Sequence, residues 1–278
     1  MSNVHIITDS ACDIPDDLIA RLNITVVPLS IRFGDEEFVD RRDLTPSQFW
    51  DKCRSSSTLP ETAAPAPGAF HQAYEDAADN GATGIAVIAL SGDLSATCQS
   101  ATLGADGFDR VPVTVVDSRA VTLAQGLIVI AAAELAATGA SLDDVVSLAR
   151  DYVTKTHVIG TIDTLDHLIK GGRLKGARAL LGSMLSVKPL LKLENGVVVE
   201  AGRARTRSKA FAQLHDAAAT AGPLAWVGVT HGDAPDVEKL LELLDDLTVQ
   251  NPVVVSQMGS VVGTHGGPGI VGVSWITA

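Results

Sequence analysis

Val4-His5-Ile6-Ile7-Thr8-Asp9-Ser10-Ala11-Cys12-Asp13-Ile14-Pro15, followed by Asp16-Asp17, is the stretch that decides the fold. Residues 4–8 read as a buried strand. A polar loop follows at once, in which Asp13 is placed as a helix N-cap, Pro15 in the first turn, and Asp16-Asp17 where a helix N-terminus favours negative charge. Strand, polar loop and helix in direct succession make the βα unit of an open α/β sheet, and ligands bind at loops on strand C-termini in such sheets. The plainer account of Asp9 and Ser10 is loop capping.

Working outward, a second strand is expected over 24–33, with Pro28 marking an edge or bulge. Gly34-Asp35-Glu36 then turns the chain into a small hairpin ending at Val39. Thr45 followed by Pro46 opens a helix to about residue 54. Residues 55–68 are polar, carry three prolines and read as extended, long enough inside a compact domain to suggest function. A helix over 69–79, a central strand over 85–90, a helix from near Ser95, a strand over 113–116 and helices over 123–138 and 142–154 complete the half. This β-α alternation predicts an α/β/α domain with a mainly parallel sheet over residues 1–155. Beyond it the pattern changes. Glu194-Asn195-Gly196 between apolar residues is a strong hairpin signal. Short strands over 158–161, 187–193, 197–200, 225–229, 253–255 and up to 276, with helices over 164–169, 209–219 and 234–246, predict an α+β domain over 156–278 with an antiparallel or mixed sheet.

Composition excludes whole function classes. A net charge of −12 and a pI near 4.9 oppose non-specific binding to nucleic acid or anionic membrane. Aromatic content of 4% leaves little for stacking bases, while 46% hydrophobic residues fill a sizeable core. Cys12, Cys53 and Cys98 are far apart and odd in number, which suits free thiols in a reducing compartment better than disulfides, and no spacing suggests a metal site. The N-terminus lacks a signal-peptide pattern, and the longest apolar stretch, 126–133, is far too short to span a bilayer. A soluble cytoplasmic protein with no stable membrane insertion is expected.

The chemistry gathers around Gly263-Thr264-His265-Gly266-Gly267-Pro268-Gly269, read as a loop in which glycines allow close backbone approach around one imidazole. Three hydroxyl-bearing loops lie in the first half, at Thr8/Asp9/Ser10, Thr62 and Ser91/Ser95, and the second half offers, with His265, a basic set at Arg173, Arg203 and Arg205, with Lys175 and Arg178 nearby. Ser95 with His265 invites an esterase or thioesterase reading. Yet there is no Gly-x-Ser-x-Gly elbow and no third triad member, and dinucleotide and P-loop fingerprints are absent. The residues alone describe a small carboxylate- or phosphate-binding α/β protein, leaving the Ser/His hydrolase and a binder of another anionic metabolite open.

Several motifs in one order add a family likeness: Thr8 to Pro15, Val26-Val27-Pro28-Leu29, Thr62 with Pro65, Pro67-Gly68 and Phe70, Leu90-Ser91, Leu94-Ser95, Thr97, Gln99-Ser100-Ala101, Asp117-Ser118, Gly171-Gly172-Arg173, and His265 with Gly267-Pro268-Gly269. In these the chain resembles the DegV family, bacterial fatty-acid-binding proteins that include the lipid-carrier subunit of fatty acid kinase. The resemblance implies one long-chain fatty acid buried between the two domains. Its carboxylate would be held by Thr62, Ser95 and His265, with Ala96 beside it, and Asp9, Ser10, Ser91 and Gly267 would shape the site. Arg173 and Arg205 look like arginines that meet a separate ATP-dependent kinase catalytic subunit, which would convert the carboxylate to an acyl-phosphate. The binding protein itself would be non-catalytic and need no cofactor. Two departures bear on chain-length and saturation preference: Ala63 where the family commonly has Ser, and Ala96 where it commonly has Gly.

Overall fold

The computed structural model describes residues 2–174 and 187–278. Lys175 and Arg178 lie outside the described residues. Four parallel strands, β1 (Val4–Asp9), β2 (Thr25–Val27), β6 (Gly84–Ala89) and β7 (Val113–Asp117), lie in the order β2-β1-β6-β7. Their side chains divide strictly. Ile7, Ile85 and Val87 face α3 (Pro67–Asp79) and α4 (Thr97–Gly104), while Ile6, Ala86 and Ile88 face α5 (Leu123–Ala137) and α6 (Leu142–Lys155). Both faces are covered, so every residue of β6 is buried, as a parallel sheet requires.

The strand expected over 24–33 is two strands. Pro28 supplies no N–H and ends β2; the chain then crosses into a separate small antiparallel sheet as β3 (Ser30–Phe33), paired with β4 (Glu36–Val39) and β5 (Glu61–Ala63). Thr62 therefore lies within a strand of the small sheet, opposite Ile31, and not on a loop at the end of a parallel strand. The capping boxes of α2 (Pro46–Ser55), from Thr45 and Gln48, and of α6, from Ser141 and Asp144, follow directly from sequence. Asp13 does not cap α1 (Asp16–Arg21); it adopts the left-handed conformation at φ 50° and its carboxylate points elsewhere.

The second half forms a six-stranded mixed sheet of β8 (Thr156–Thr161), β9 (Lys188–Glu194), β10 (Val197–Ala204), β11 (Leu224–His231), β12 (Val254–Gln257) and β13 (Val271–Thr277), in the order β10-β9-β8-β13-β11-β12. Asn195 and Gly196, both at positive φ, make the tight turn between β9 and β10. Helices α8 (Arg207–Ala219) and α9 (Val237–Leu244) cover one face through Phe211, Leu214 and Leu240 against Val227, Val229, Val271 and Val273. The other face receives α5. Gly228 of β11 lies beneath Leu123, where an added Cβ would come within 3.0 Å of it. Helix α5 is thus enclosed between the two sheets, which explains why every residue from Leu123 to Ala133 is buried. With α7 (Asp166–Lys170) and α10 (Ser260–Gly266), ten α-helices occur among the described residues, and none is long and apolar enough to cross a membrane.

Candidate functional site

The His265 segment is a helix followed by a turn. Residues Ser260–Gly266 form α10, and Gly267 and Gly269, at φ 75° and 81°, turn the chain into β13. Helix α10 is seated on α2. Gly263 lies against Phe49 and Trp50, and Trp50 Nε1 donates to the Met258 carbonyl at 2.9 Å. At its far end Asp13 Oδ1 accepts from the Gly259 N–H at 2.8 Å, while Asp13 Oδ2 accepts from Thr122 Oγ1 at 2.7 Å. A carboxylate from the first βα loop therefore holds the helix that carries His265.

His265 Nε2 and Thr62 Oγ1 are hydrogen-bonded at 3.0 Å across a separation of 203 residues. The other ring nitrogen is buried without a hydrogen-bond partner among the described residues and lies against Gly171, where a Cβ would come within 2.2 Å of it. Burial, aided by the nearby Arg173 and His167, lowers the His265 pKa to about 4. At neutral pH the imidazole is uncharged and offers directional hydrogen bonding, not a counter-charge. Gly267 fits against the His167 ring, whose Nδ1 lies 2.9 Å from the Thr264 carbonyl, so both glycines are demanded by imidazoles packed upon them.

A cavity extends from this pair. Thr62, Ser95, His265 and Arg173 supply polar lining, Leu29, Leu90, Leu168, Leu191, Met258, Val261 and Ile270 much of the rest, and Gly160 and Gly272 lie on its mixed-sheet side. Its volume is about 140 Å³ as space for the centres of water-sized groups. At roughly 10–15 Å³ for one water on that measure, it holds about ten such groups. A neighbouring pocket lined by Asp93, Gly171, Gly172 and Val197 shares Leu94 and Arg173 with the cavity, so those two residues lie between the two spaces. Arg173 is half-buried there, with Nε donating to the Leu94 carbonyl at 3.1 Å and Nη1 to the Gly171 carbonyl at 2.6 Å.

The remaining candidates divide. Ser95 lines the cavity, its Oγ 2.9 Å from Thr97 Oγ1 and accepting from the Thr97 N–H at 3.3 Å. Ala96 is solvent-exposed at the start of α4 and is not part of the lining. Asp9 is fully buried behind the cavity, accepting from the N–H groups of Ala11 and Leu90 and from Gln125 Nε2; burial raises its pKa to about 6. Ser10 accepts from the Leu29 N–H at 3.1 Å, and Ser91 donates to the Gly196 carbonyl at 2.8 Å. These three lock strand ends and the β9-β10 turn around the cavity instead of lining it, which agrees with the loop-capping account of Asp9. Arg203 pairs with Glu200, and Arg205 is exposed. Burial pushes the Cys98 thiol up to about 11, so its thiolate is scarce at neutral pH.

Thr122 is a cavity-lining residue that sequence reasoning missed. It lines the cavity at φ 56° and ψ −149°, a conformation unfavourable for a β-branched residue, and bonds both Asp13 and Thr230. Nothing local in Val121-Thr122-Leu123 signals this.

A mostly apolar cavity thus carries hydroxyls, an imidazole and a guanidinium in its lining. The family model for DegV proteins, described as uncharacterised, matches residues 3–278, and the chain belongs to the DegV family. A DegV domain-containing protein of Streptomyces coelicolor is 36% identical over 275 residues, 98% of this chain and 97% of that one. Among solved structures, a DegV family protein from Thermus thermophilus, described by its fatty acid binding, superposes with a TM-score of 0.92 at 33% identity, covering 99% of this chain and 100% of the other. DegV of Bacillus subtilis, described as a fatty acid binding protein, does so at 0.88 and 30% identity, covering 100% of both chains.

Proposed function

We propose that this protein binds one long-chain fatty acid, with the carboxylate at Thr62, Ser95 and His265 and the acyl chain in the apolar cavity between an N-terminal domain, residues 1–155, and a C-terminal domain, residues 156–278. It presents the carboxylate beside Leu94 and Arg173 to a separate fatty acid kinase subunit for acyl-phosphate formation, without catalysing that step itself. The observation that carries the reading is a mostly apolar cavity whose lining includes the hydrogen-bonded Thr62–His265 pair with Ser95 and Arg173. Each methylene removed from water contributes about 0.8 kcal/mol, so affinity comes mainly from the tail. The head-group bonds then fix which end faces out. Exposed Arg205 suits a docking contact, whereas the bonds of Arg173 to two backbone carbonyls suit a fixed positive edge to the cavity.

The arrangement disfavours the Ser/His hydrolase. Ser95 Oγ bonds to Thr97 and His265 Nε2 to Thr62, and no Ser95–His265 hydrogen bond occurs among the described residues. Native mass spectrometry of the purified protein, before and after adding palmitate, tests the proposal. A one-to-one adduct is expected. His265→Ala and Thr62→Val should weaken it roughly tenfold to a hundredfold, as expected for lost hydrogen bonds to a charged group, while Arg205→Ala leaves it unchanged. An apo mass that takes up no fatty acid, or full affinity in both site variants, would refute the carboxylate site.

A further inference from the structure

Two glycines face each other in the middle of the mixed sheet. Gly160 of β8 and Gly272 of β13 are direct antiparallel partners, and both line the cavity. Opposed residues on neighbouring strands present their side-chain positions to the same face. On that face β8 also carries Val158, and Ile162 follows just past its end; both line the cavity too. The glycine row runs on to Leu191 of β9 at one side and Thr230 of β11 at the other. Between flanking branched side chains the sheet therefore has a trough two residues wide with no side chain in it.

Backbone demands do not account for Gly272. Neither residue has a positive φ. A Cβ at Gly272 would lie 3.5 Å from the Ile159 carbonyl oxygen and 3.9 Å from the Gly160 Cα, which is ordinary contact; at Gly160 it would lie 3.0 Å from the Val271 carbonyl oxygen, which is tighter. Gly228, by contrast, has an evident reason in the Leu123 side chain above it. Glycine weakens a strand, and where its own backbone does not need it, it marks close approach by something else. Over Gly272 that something is the cavity.

We infer that Gly160 and Gly272 form the gauge that sets acyl-chain length: the chain crosses the mixed sheet over this pair, and any side chain there takes the place of methylenes. The inference rests on the fatty-acid reading above. Its test uses delipidated wild type, Gly272→Ala and Gly272→Val, each assayed for decanoate and palmitate affinity by displacement of a fluorescent fatty acid, with a thermal melt of each. The three carbons of a valine side chain should lower the palmitate-to-decanoate affinity ratio by roughly tenfold or more. Decanoate binding is retained, and Gly272→Ala shifts the ratio the same way by less. The alanine, in ordinary contact, decides the matter alone if the valine variant does not fold. An unchanged ratio in the folded variants, or equal loss for both acids, overturns the gauge while leaving the carrier function standing. A wild type that binds neither acid overturns both.

Discussion

Asp13 sits at φ 50°, in the left-handed region that Asp tolerates better than most residues, and this turns its carboxylate away from α1 and into the core. There it accepts from Gly259 N–H and Thr122 Oγ1, and burial raises its pKa from 3.8 to about 7. The folded protein thus holds a proton on Asp13 that the unfolded chain releases near 3.8. The associated stability is full below that value and is lost as the pH rises through about 7. His265 works the opposite way: with a pKa lowered from 6.5 to about 4, its share is lost as the pH falls through that interval. The two flatten each other in the wild type, so the difference between variants is the informative quantity. Tm of Asp13→Asn minus Tm of wild type should increase steadily from pH 4 to pH 7.5, by several degrees at about 1.4 kcal/mol per pKa unit. Calorimetry across that range checks it; a constant difference would mean that Asp13 is ionised in the native protein.

Helix α10 shows how an element can override local propensity. Its sequence, Ser260-Val261-Val262-Gly263-Thr264-His265-Gly266, holds two glycines and two β-branched valines and reads as a loop, because those residues are poor helix formers. Tertiary contacts supply what propensity withholds: the Asp13 carboxylate at one end, the Trp50 bond to Met258, and close packing on α2. Gly263 tests which effect dominates. Replacing an interior helical glycine by alanine gains about 1 kcal/mol of propensity. Here the new Cβ would stand 2.6 Å from Phe49 Cε1 and 2.8 Å from Trp50 Cζ2. Overpacking of that kind typically costs about 1–3 kcal/mol, so Gly263→Ala should lower Tm by several degrees and, by tilting His265 away from Thr62, weaken fatty acid binding. A Tm equal to or above that of wild type would show that the α2–α10 contact yields to the added methyl group.

Across the whole molecule, α5 joins the two halves into one hydrophobic core. Ile128, Ile130 and Ala132 share a cluster with β1 and β6 on one side and with Ala225, Trp226 and Ile276 on the other. Residues 1–155 expressed alone would expose the α5 face that the mixed sheet covers. That fragment should bind a hydrophobic dye and melt broadly, whereas the full chain unfolds in one cooperative transition, as calorimetry with dye fluorescence would register. A dye-silent fragment with a sharp transition would show that the first domain is self-sufficient. A helix that is apolar all round, as α5 is, must be buried on every side, and the two sheets together supply that burial.

Local periodicity and chain-near interactions were legible without coordinates: the parallel βα units, the capping boxes of α2 and α6, the Asn195-Gly196 hairpin and the mixed character of the second sheet. These depend on residues within a turn or two of each other, so the one-dimensional order carries them. Tertiary structure alone decided the split of 24–33 between two sheets, the helical state of the His265 segment, the outward position of Ala96, the strained Thr122 and the Asp13–Gly259 tie. It also decided the Gly160–Gly272 trough. Each of these is set by a partner tens to hundreds of residues away, and the free energy of such a contact depends on which groups meet and how fully water is excluded between them. Neither quantity is written in the local sequence.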